Sequence, residues 1–326
     1  MATKLKDTLK EKFAYDVSDL ANWKDNSMPT MIPDLIANSD FLGDLTLEEG
    51  VKGTKEIALL NADVTLKAKV GCTPSPDGSV IFTAVDLRTK LLYMGIEFCN
   101  EDLNGKMTQV LNVLGVKRQN GQLPAELDQI LQAYLLKMLE KKAQDVVLLG
   151  DTTSLDAELA LFDGLVKIID NDPDVEVYTS TETEIDETNA WDLAKELYKT
   201  INPELLDNGL TVQIYTGRQE ALAILEQWNT DHPYSLIEVP EATGSFSFKL
   251  PLYGITVKSL PQLSGKNKMY AIPTSLTFLG TDLESDMSFD IKYDDYNDKL
   301  KAEASFRLGT QIVWGKYFTR LELANS

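Results

Sequence analysis

Few side chains in this sequence could carry chemistry. The chain holds one histidine, His232, beside Pro233 in a stretch that reads as a loop. A nucleophilic triad needs a base and a group that orients it, and a lone loop histidine gives such a triad little support. Cys72 and Cys99 form no CxxC and cannot build a thiolate zinc site unaided. Both are expected as reduced thiols in a cytosolic setting. Asp170-Asn171-Asp172-Pro173-Asp174 opens like a calcium loop, but Val175 stands where the turn needs glycine and Thr181 where a glutamate would close the shell. It reads as a solvated acidic loop. Glu48-Glu49 and Asp294-Asp295 are adjacent carboxylates, which point apart on either a strand or a helix and make poor acid–base pairs. GxSxG, P-loop, GxGxxG and HExxH patterns are absent. Tyr134, Trp191, Trp228 and Trp314 are scattered and read as core, and Phe246, Phe248 and Tyr253 as core or interface. The sequence thus predicts no catalytic residue, no cofactor-binding residue and no metal site.

The 326 residues suffice for one large domain or two medium ones. A net charge of −20, from 51 acidic and 31 basic residues, argues against sequence-independent nucleic-acid binding, which depends on neutralising phosphates. No run approaches the roughly eighteen apolar residues of a membrane span. Met1-Ala2-Thr3-Lys4-Leu5-Lys6 has no apolar core behind it, so no secretory signal is predicted and a cytosolic origin is expected.

The elements that would position these residues follow a definite order. Residues 1–56 read as an arm, interrupted by Pro29 and Pro33 and dotted with apolar residues such as Trp23 and Ile32 that cannot close a core alone. Ala62, Val64, Leu66, Ala68 and Val70 alternate with polar residues, the two-residue period of a half-buried strand. Gly71 to Ser79 is a dense turn signal. The returning strand is apolar at Val80 and Phe82, then at Val85, Leu87 and Leu91, and this change of phase predicts a bulge near Ala84. The hairpin would reach roughly 45 Å with strands of about fourteen residues. Leu123 to Leu149 reads as a long helix, with Pro124 in its first turn, apolar residues at three- and four-residue spacing and Gly150 as its stop. A second helix is predicted over Asn189 to Ile201 and a strand over Thr211 to Tyr215. A helix over 217–228 is predicted with Thr216 as its cap. Strands follow at 255–257, 275–279, 287–293, 300–308 and 311–314.

This order resembles the major capsid proteins of tailed bacteriophages. Three stretches add to the resemblance: Val85-Asp86-Leu87-Arg88-Thr89-Lys90-Leu91-Leu92 running to Cys99-Asn100-Glu101-Asp102-Leu103; Leu148-Leu149-Gly150-Asp151-Thr152 with Phe162-Asp163-Gly164-Leu165; and Leu252-Tyr253-Gly254-Ile255-Thr256-Val257 with Phe306-Arg307-Leu308-Gly309 and Tyr317-Phe318. The family's second turn glycine is Thr152 here, and its proline is Thr256. The resemblance, over residues 57 to 320, implies an α+β, HK97-like capsid fold. Its parts would be an N-terminal arm (1–56), an extended hairpin loop (57–98), a peripheral domain with the spine helix (99–169), an axial domain (170–250) and a return to the peripheral domain (251–326). It implies a structural subunit, not an enzyme, that self-assembles into hexamers and pentamers of an icosahedral or prolate shell around double-stranded DNA.

The implied partners are copies of the same chain, a portal, decoration proteins and, because the arm begins almost at Met1, a separate scaffolding protein or none. The DNA would be enclosed without sequence-specific binding, behind an acidic wall that repels it. The implied location is the virion, assembled in the host cytoplasm. A long hairpin and an apolar arm are marginal alone and make sense when they lie on neighbouring subunits. Val64, Leu66, Val70 and Phe82 of the hairpin, with Trp23 and Ile32 of the arm, are the candidate assembly residues. The runner-up is an encapsulin-type nanocompartment shell, although the proline-interrupted arm argues against it. A soluble α+β enzyme with an unrecognised site is the third reading.

Overall fold

The computed structural model describes residues 39–63, 79–99, 126–235, 237, 245–283, 288–294 and 299–324. At 60–63, 79–82, 98–99, 126–136, 288–294, 299–300 and 302 the description is of backbone alone. In chain order the strands are β1 (Thr46–Glu48), β2 (Thr54–Asp63), β3 (Ser79–Arg88), β4 (Lys90–Cys99), β5 (Glu176–Thr179), β6 (Val212–Gly217), β7 (Ser247–Lys249), β8 (Thr256–Leu260), β9 (Met269–Pro273), β10 (Thr277–Thr281), β11 (Ser288–Asp294), β12 (Lys299–Ile312) and β13 (Thr319–Glu322). The helices are α1 (Glu126–Leu149), α2 (Leu165–Asn171), α3 (Ala190–Thr200), α4 (Pro203–Asp207) and α5 (Arg218–Asp231). The chain divides into two compact units, Met1–Gly43 with Leu91–Asp145 and Asp282–Leu308, and Asp44–Lys90 with Val146–Thr281 and Gly309–Ser326.

The larger unit is built on a six-stranded sheet of order β5-β13-β9-β6-β8-β7. β6 is parallel to β8 and antiparallel to β9, while β13 is parallel to β5. The central strands are nearly continuous buried runs, with all of β9 and most of β6 out of solvent. A strand covered on both faces carries no polar face, so it lacks alternation. α3 shows why it docks: Ala190, Trp191, Ala194 and Leu197 recur at helical spacing and are all buried. They join Ile214, Ile224, Trp228 and Val257 in one core. Trp191 meets Trp228 edge-on, with ring centroids 4.7 Å apart. Asn202 ends the turn after α3 by accepting the Glu204 backbone N–H at 3.0 Å, with Pro203 at the first position of α4.

Two local expectations are corrected. Thr216 does not cap α5: Gly217 is the cap residue, and the Thr216 hydroxyl donates to the Lys268 carbonyl at 3.0 Å instead. The acidic stretch from Asp170 is not wholly a solvated loop. Asp170 lies in α2, pairs with Lys268 and accepts the Tyr270 hydroxyl at 3.1 Å, while Arg320 stands 3.6 Å away.

In the same unit β1 runs parallel to β10, with Thr46 beside Phe278. The last residues of β12 also lie beside β10, where the Thr310 hydroxyl donates to the Phe278 carbonyl at 3.2 Å. In the smaller unit β12 pairs antiparallel with β11 and also pairs with β4. The predicted strands 300–308 and 311–314 are therefore one strand. Leu91 belongs to β4 and does not extend the hairpin. α1 covers Glu126–Leu149 and ends where its periodicity predicts, with Leu139, Ala143, Val146 and Val147 buried; the expected start at 123–125 lies outside the described residues.

Candidate assembly surfaces

The hairpin β2–β3 is the element on which the assembly reading turns. Its register is continuous, from Thr54 opposite Arg88 to Asp63 opposite Ser79. No residue is skipped, so the bulge expected near Ala84 is absent. The change of apolar phase has another cause. Near the root, the odd-numbered face is covered, with Leu59 at 7% and Leu87 at 0% exposure. Ala58 and Ala84 on the even-numbered face are exposed. The strand stays regular while its apolar residues change sides.

The root is anchored through backbone and short polar side chains. The Thr89 hydroxyl donates to the Val51 carbonyl at 2.7 Å, and the Thr89 N–H to the Gly53 carbonyl at 2.7 Å. Gly53 has a φ of 97°, which a residue without Cβ adopts freely. A Cβ on Gly309 would lie 2.0 Å from the Arg88 carbonyl oxygen, so glycine lets β12 approach this root.

A second anchor lies where the N-terminal segment joins the sheet. The Asp44 carboxylate accepts the Tyr215 hydroxyl at 2.9 Å and the Lys258 ammonium at 2.6 Å. Tyr215 is fully buried, and burial first, then the Asp44 charge, hold its phenol far above the ordinary value. Three residues remote in sequence thus fix one turn of chain.

The loop after α1 is closed by backbone contact. The Gly164 N–H donates to the Gly150 carbonyl at 2.8 Å, and a Cβ on Gly164 would fall 2.6 Å from the Gly150 nitrogen. Lys167 bridges Asp151 at 2.6 Å and Asp163 at 2.7 Å. The Lys167 ammonium, with bonds from Thr153, lowers the Asp151 pKa to about 2. Leu155 stands fully exposed in this loop. Leu252 is also exposed, in a turn where its φ is 69°.

Of the candidate assembly residues, Trp23, Ile32, Val64, Leu66 and Val70 lie outside the described residues. Phe82 is placed by its backbone, opposite Leu60. Cys72 also lies outside them, and Cys99 ends β4. Tyr134 is described by backbone alone, while Trp191, Trp228, Phe246 and Phe248 are core residues, as their types suggest. His232 caps the end of α5 and stacks on Trp228 at 3.8 Å. Among the described residues no group of acidic, histidine or cysteine side chains could hold a metal ion, and no helix is long and apolar enough to cross a membrane. The Asp44 and Asp170 clusters escaped sequence reading, because nothing in the local pattern links their members.

Comparison with known proteins gives the class of fold. No family model matches the sequence, and the search of curated proteins found no match. Solved structures do match. A chain of the satellite phage P4 procapsid including the size determination (Sid) protein aligns at 10% identity, over 90% of this chain and 98% of that one, with a TM-score of 0.57. A chain of Gordonia phage Cozz aligns at 11% identity, over 91% and 87%, with a TM-score of 0.57. The capsid of the empty GTA particle aligns at 8% identity, over 88% and 90%, with a TM-score of 0.58. At such identities the likeness is one of fold. The chain has an α+β, HK97-like phage capsid fold along nearly its whole length.

Proposed function

We propose that this chain is the repeating subunit of a tailed-phage capsid, a structural protein rather than an enzyme. The observation that carries the reading is the capsid fold over 90% of the chain, including 98% of the length of a procapsid chain. The charge supports it: a wall of net charge −20 would not bind the DNA packed behind it. The hairpin supports it too, since a two-stranded ribbon is marginal alone and gains stability on another surface. In this reading the copies form hexamers and pentamers of a closed shell. A portal, a separate scaffolding protein and decoration proteins are its partners, and the virion, assembled in the host cytoplasm, is its location.

Expression of the full chain followed by electron microscopy and sedimentation tests this. Closed shells are expected. Replacing Val64 and Leu66 together by Asp should leave a folded subunit that forms none, because carboxylates would meet an apolar surface. A chain that stays monomeric under all conditions would refute the proposal. Closed shells built around enzymes instead of DNA would favour the nanocompartment alternative.

A further inference from the structure

The Asp44 and Asp170 clusters lie on one line across the six-stranded sheet. Arg320 is opposite both Val177 and Tyr270, Tyr270 is opposite Tyr215, Tyr215 is opposite Lys258, and Lys258 is opposite Ser247. Residues opposite one another share a face, so these six form an unbroken row from one edge strand to the other. Their chain neighbours Leu321, Ala271, Ile214, Val257 and Phe248 take the other face, in the core with α3 and α5. On the two middle strands the row holds Tyr215 and Tyr270, only 0% and 2% exposed. Each gives its hydroxyl to a carboxylate from a different part of the chain. Tyr215 donates to Asp44, just ahead of β1, and Tyr270 to Asp170, in the last turn of α2. Each carboxylate also faces the outer cation of its half of the row, Lys258 at 2.6 Å and Arg320 at 3.6 Å. The order is cation, tyrosine, tyrosine, cation, with one carboxylate bridging each half.

We infer that this row is a conformational relay between the chain at Asp44 and α2, in which release of one carboxylate loosens the other across the paired tyrosines. It is a property of the folded unit and holds whether or not the chain builds a shell. Opposite residues of an antiparallel pair have Cβ atoms about 4.5–5.5 Å apart, so a phenol that shifts in a close-packed layer displaces its neighbour. The Asp170 end is poised to yield. Asp170 places a negative charge in the last turn of a seven-residue helix, where the dipole is also negative and no basic residue offsets it. The turn therefore depends on Lys268, Tyr270 and Arg320 from the sheet side. Arg320 is itself loosely held, 3.6 Å from Asp170 and 3.5 Å from Glu322, and its buried Nε has no hydrogen-bond partner among the described residues. Both contacts of Asp44 are shorter, at 2.9 Å and 2.6 Å. The tight clamp thus sets the loose one, and whether the chain at Asp44 is docked is felt at α2.

Amide hydrogen exchange on the full chain tests the relay, with α5 on the opposite face as the internal reference for any general loss of stability. Asp44→Ala should speed exchange in α2, relative to α5, by about fivefold or more, the lower end of coupling between sites. Asp170→Ala should speed exchange at Leu45 and in β1 relative to α5, because coupling between two sites is reciprocal. Tyr215→Phe removes the hydroxyl and keeps the ring, so it should act in the same direction as Asp44→Ala with a smaller effect. If Asp44→Ala does not fold, Tyr215→Phe and Asp170→Ala decide. Faster exchange around Asp44 and Tyr215 with α2 unchanged relative to α5 would overturn the relay and leave two independent clamps. Equal acceleration of α2 and α5 would overturn it as well, since the loss would then be general. A response of α2 to Asp44→Ala with none of β1 to Asp170→Ala would break reciprocity and have the same consequence.

Discussion

Replacing Asp44 by Ala should destabilise the larger unit by about 3 kcal/mol, at the upper end for one hydrogen bond to a charged group and the lower end for a broken buried ion pair. The carboxylate accepts at 2.9 Å from Tyr215 and at 2.6 Å from Lys258. The Asp44 and Lys258 side chains are only 21% and 15% exposed, so solvent screens the pair weakly. Tyr215→Phe removes one of these bonds and should cost about 1 kcal/mol, because its hydroxyl is then absent and not stranded. Asp44→Asn keeps the shape and an acceptor but loses the charge, and should fall between the two. Combining Asp44→Ala with Tyr215→Phe should cost about 1 kcal/mol less than the sum of the singles, since the two share one bond. Urea unfolding of the unassembled subunit, followed by fluorescence of Trp191 and Trp228 in the same unit, measures each value. An Asp44→Ala variant within about 0.5 kcal/mol of the parent, the range of an ordinary surface substitution, would refute the clamp. Strict additivity of the pair would refute the shared bond.

Alkali should expose a second consequence of burial. Tyr215 and Tyr270 both have phenol pKa values raised first by burial and then by the neighbouring carboxylate, Asp44 or Asp170. The neutral forms are favoured on folding, so this stability is intact below the unfolded value near 10. It is lost as pH rises above it, at about 1.4 kcal/mol per pH unit for each tyrosine. Ultraviolet titration of the native protein should show these two phenols silent until unfolding, and a normal reversible titration of all tyrosines would contradict this. At the acid end, carboxyl NMR should place Asp151 near about 2, with Lys167→Ala moving it back toward 3.8. Its folded pKa is depressed, so the loop contact is complete above the unfolded value and fades as pH falls through about 2. An unchanged Asp151 titration in Lys167→Ala would remove the lysine as the cause. Gly309→Ala should cost on the order of 1–3 kcal/mol in the same urea assay, because its Cβ would meet rigid backbone. A midpoint equal to that of the parent would mean that β12 and the hairpin root move apart at no cost.

Features that repeat along a single element were legible in the sequence. α1, α3 and α5 lie where apolar spacing placed them, and α1 stops at the residue before Gly150. The phase change in β3 was also visible, but its cause was not. A bulge and a change of buried face leave the same pattern in one strand, and only the partner's register separates them. Leu60 opposite Phe82 and Ile57 opposite Val85 settle it in favour of an unbroken ladder. Strands 300–308 and 311–314 read as two, yet Gly309 between them is where β12 passes against the Arg88 backbone. The parallel pairing of Thr46 with Phe278 left no trace in a strand of three residues. The Asp44, Tyr215 and Lys258 cluster and the Asp170, Lys268, Tyr270 and Arg320 cluster were equally hidden. Periodicity reports how a residue faces its own element's environment, which is a local property of the backbone. Ion pairs and close glycine contacts depend on which distant segments folding brings together, and that is decided by the packing of the whole unit.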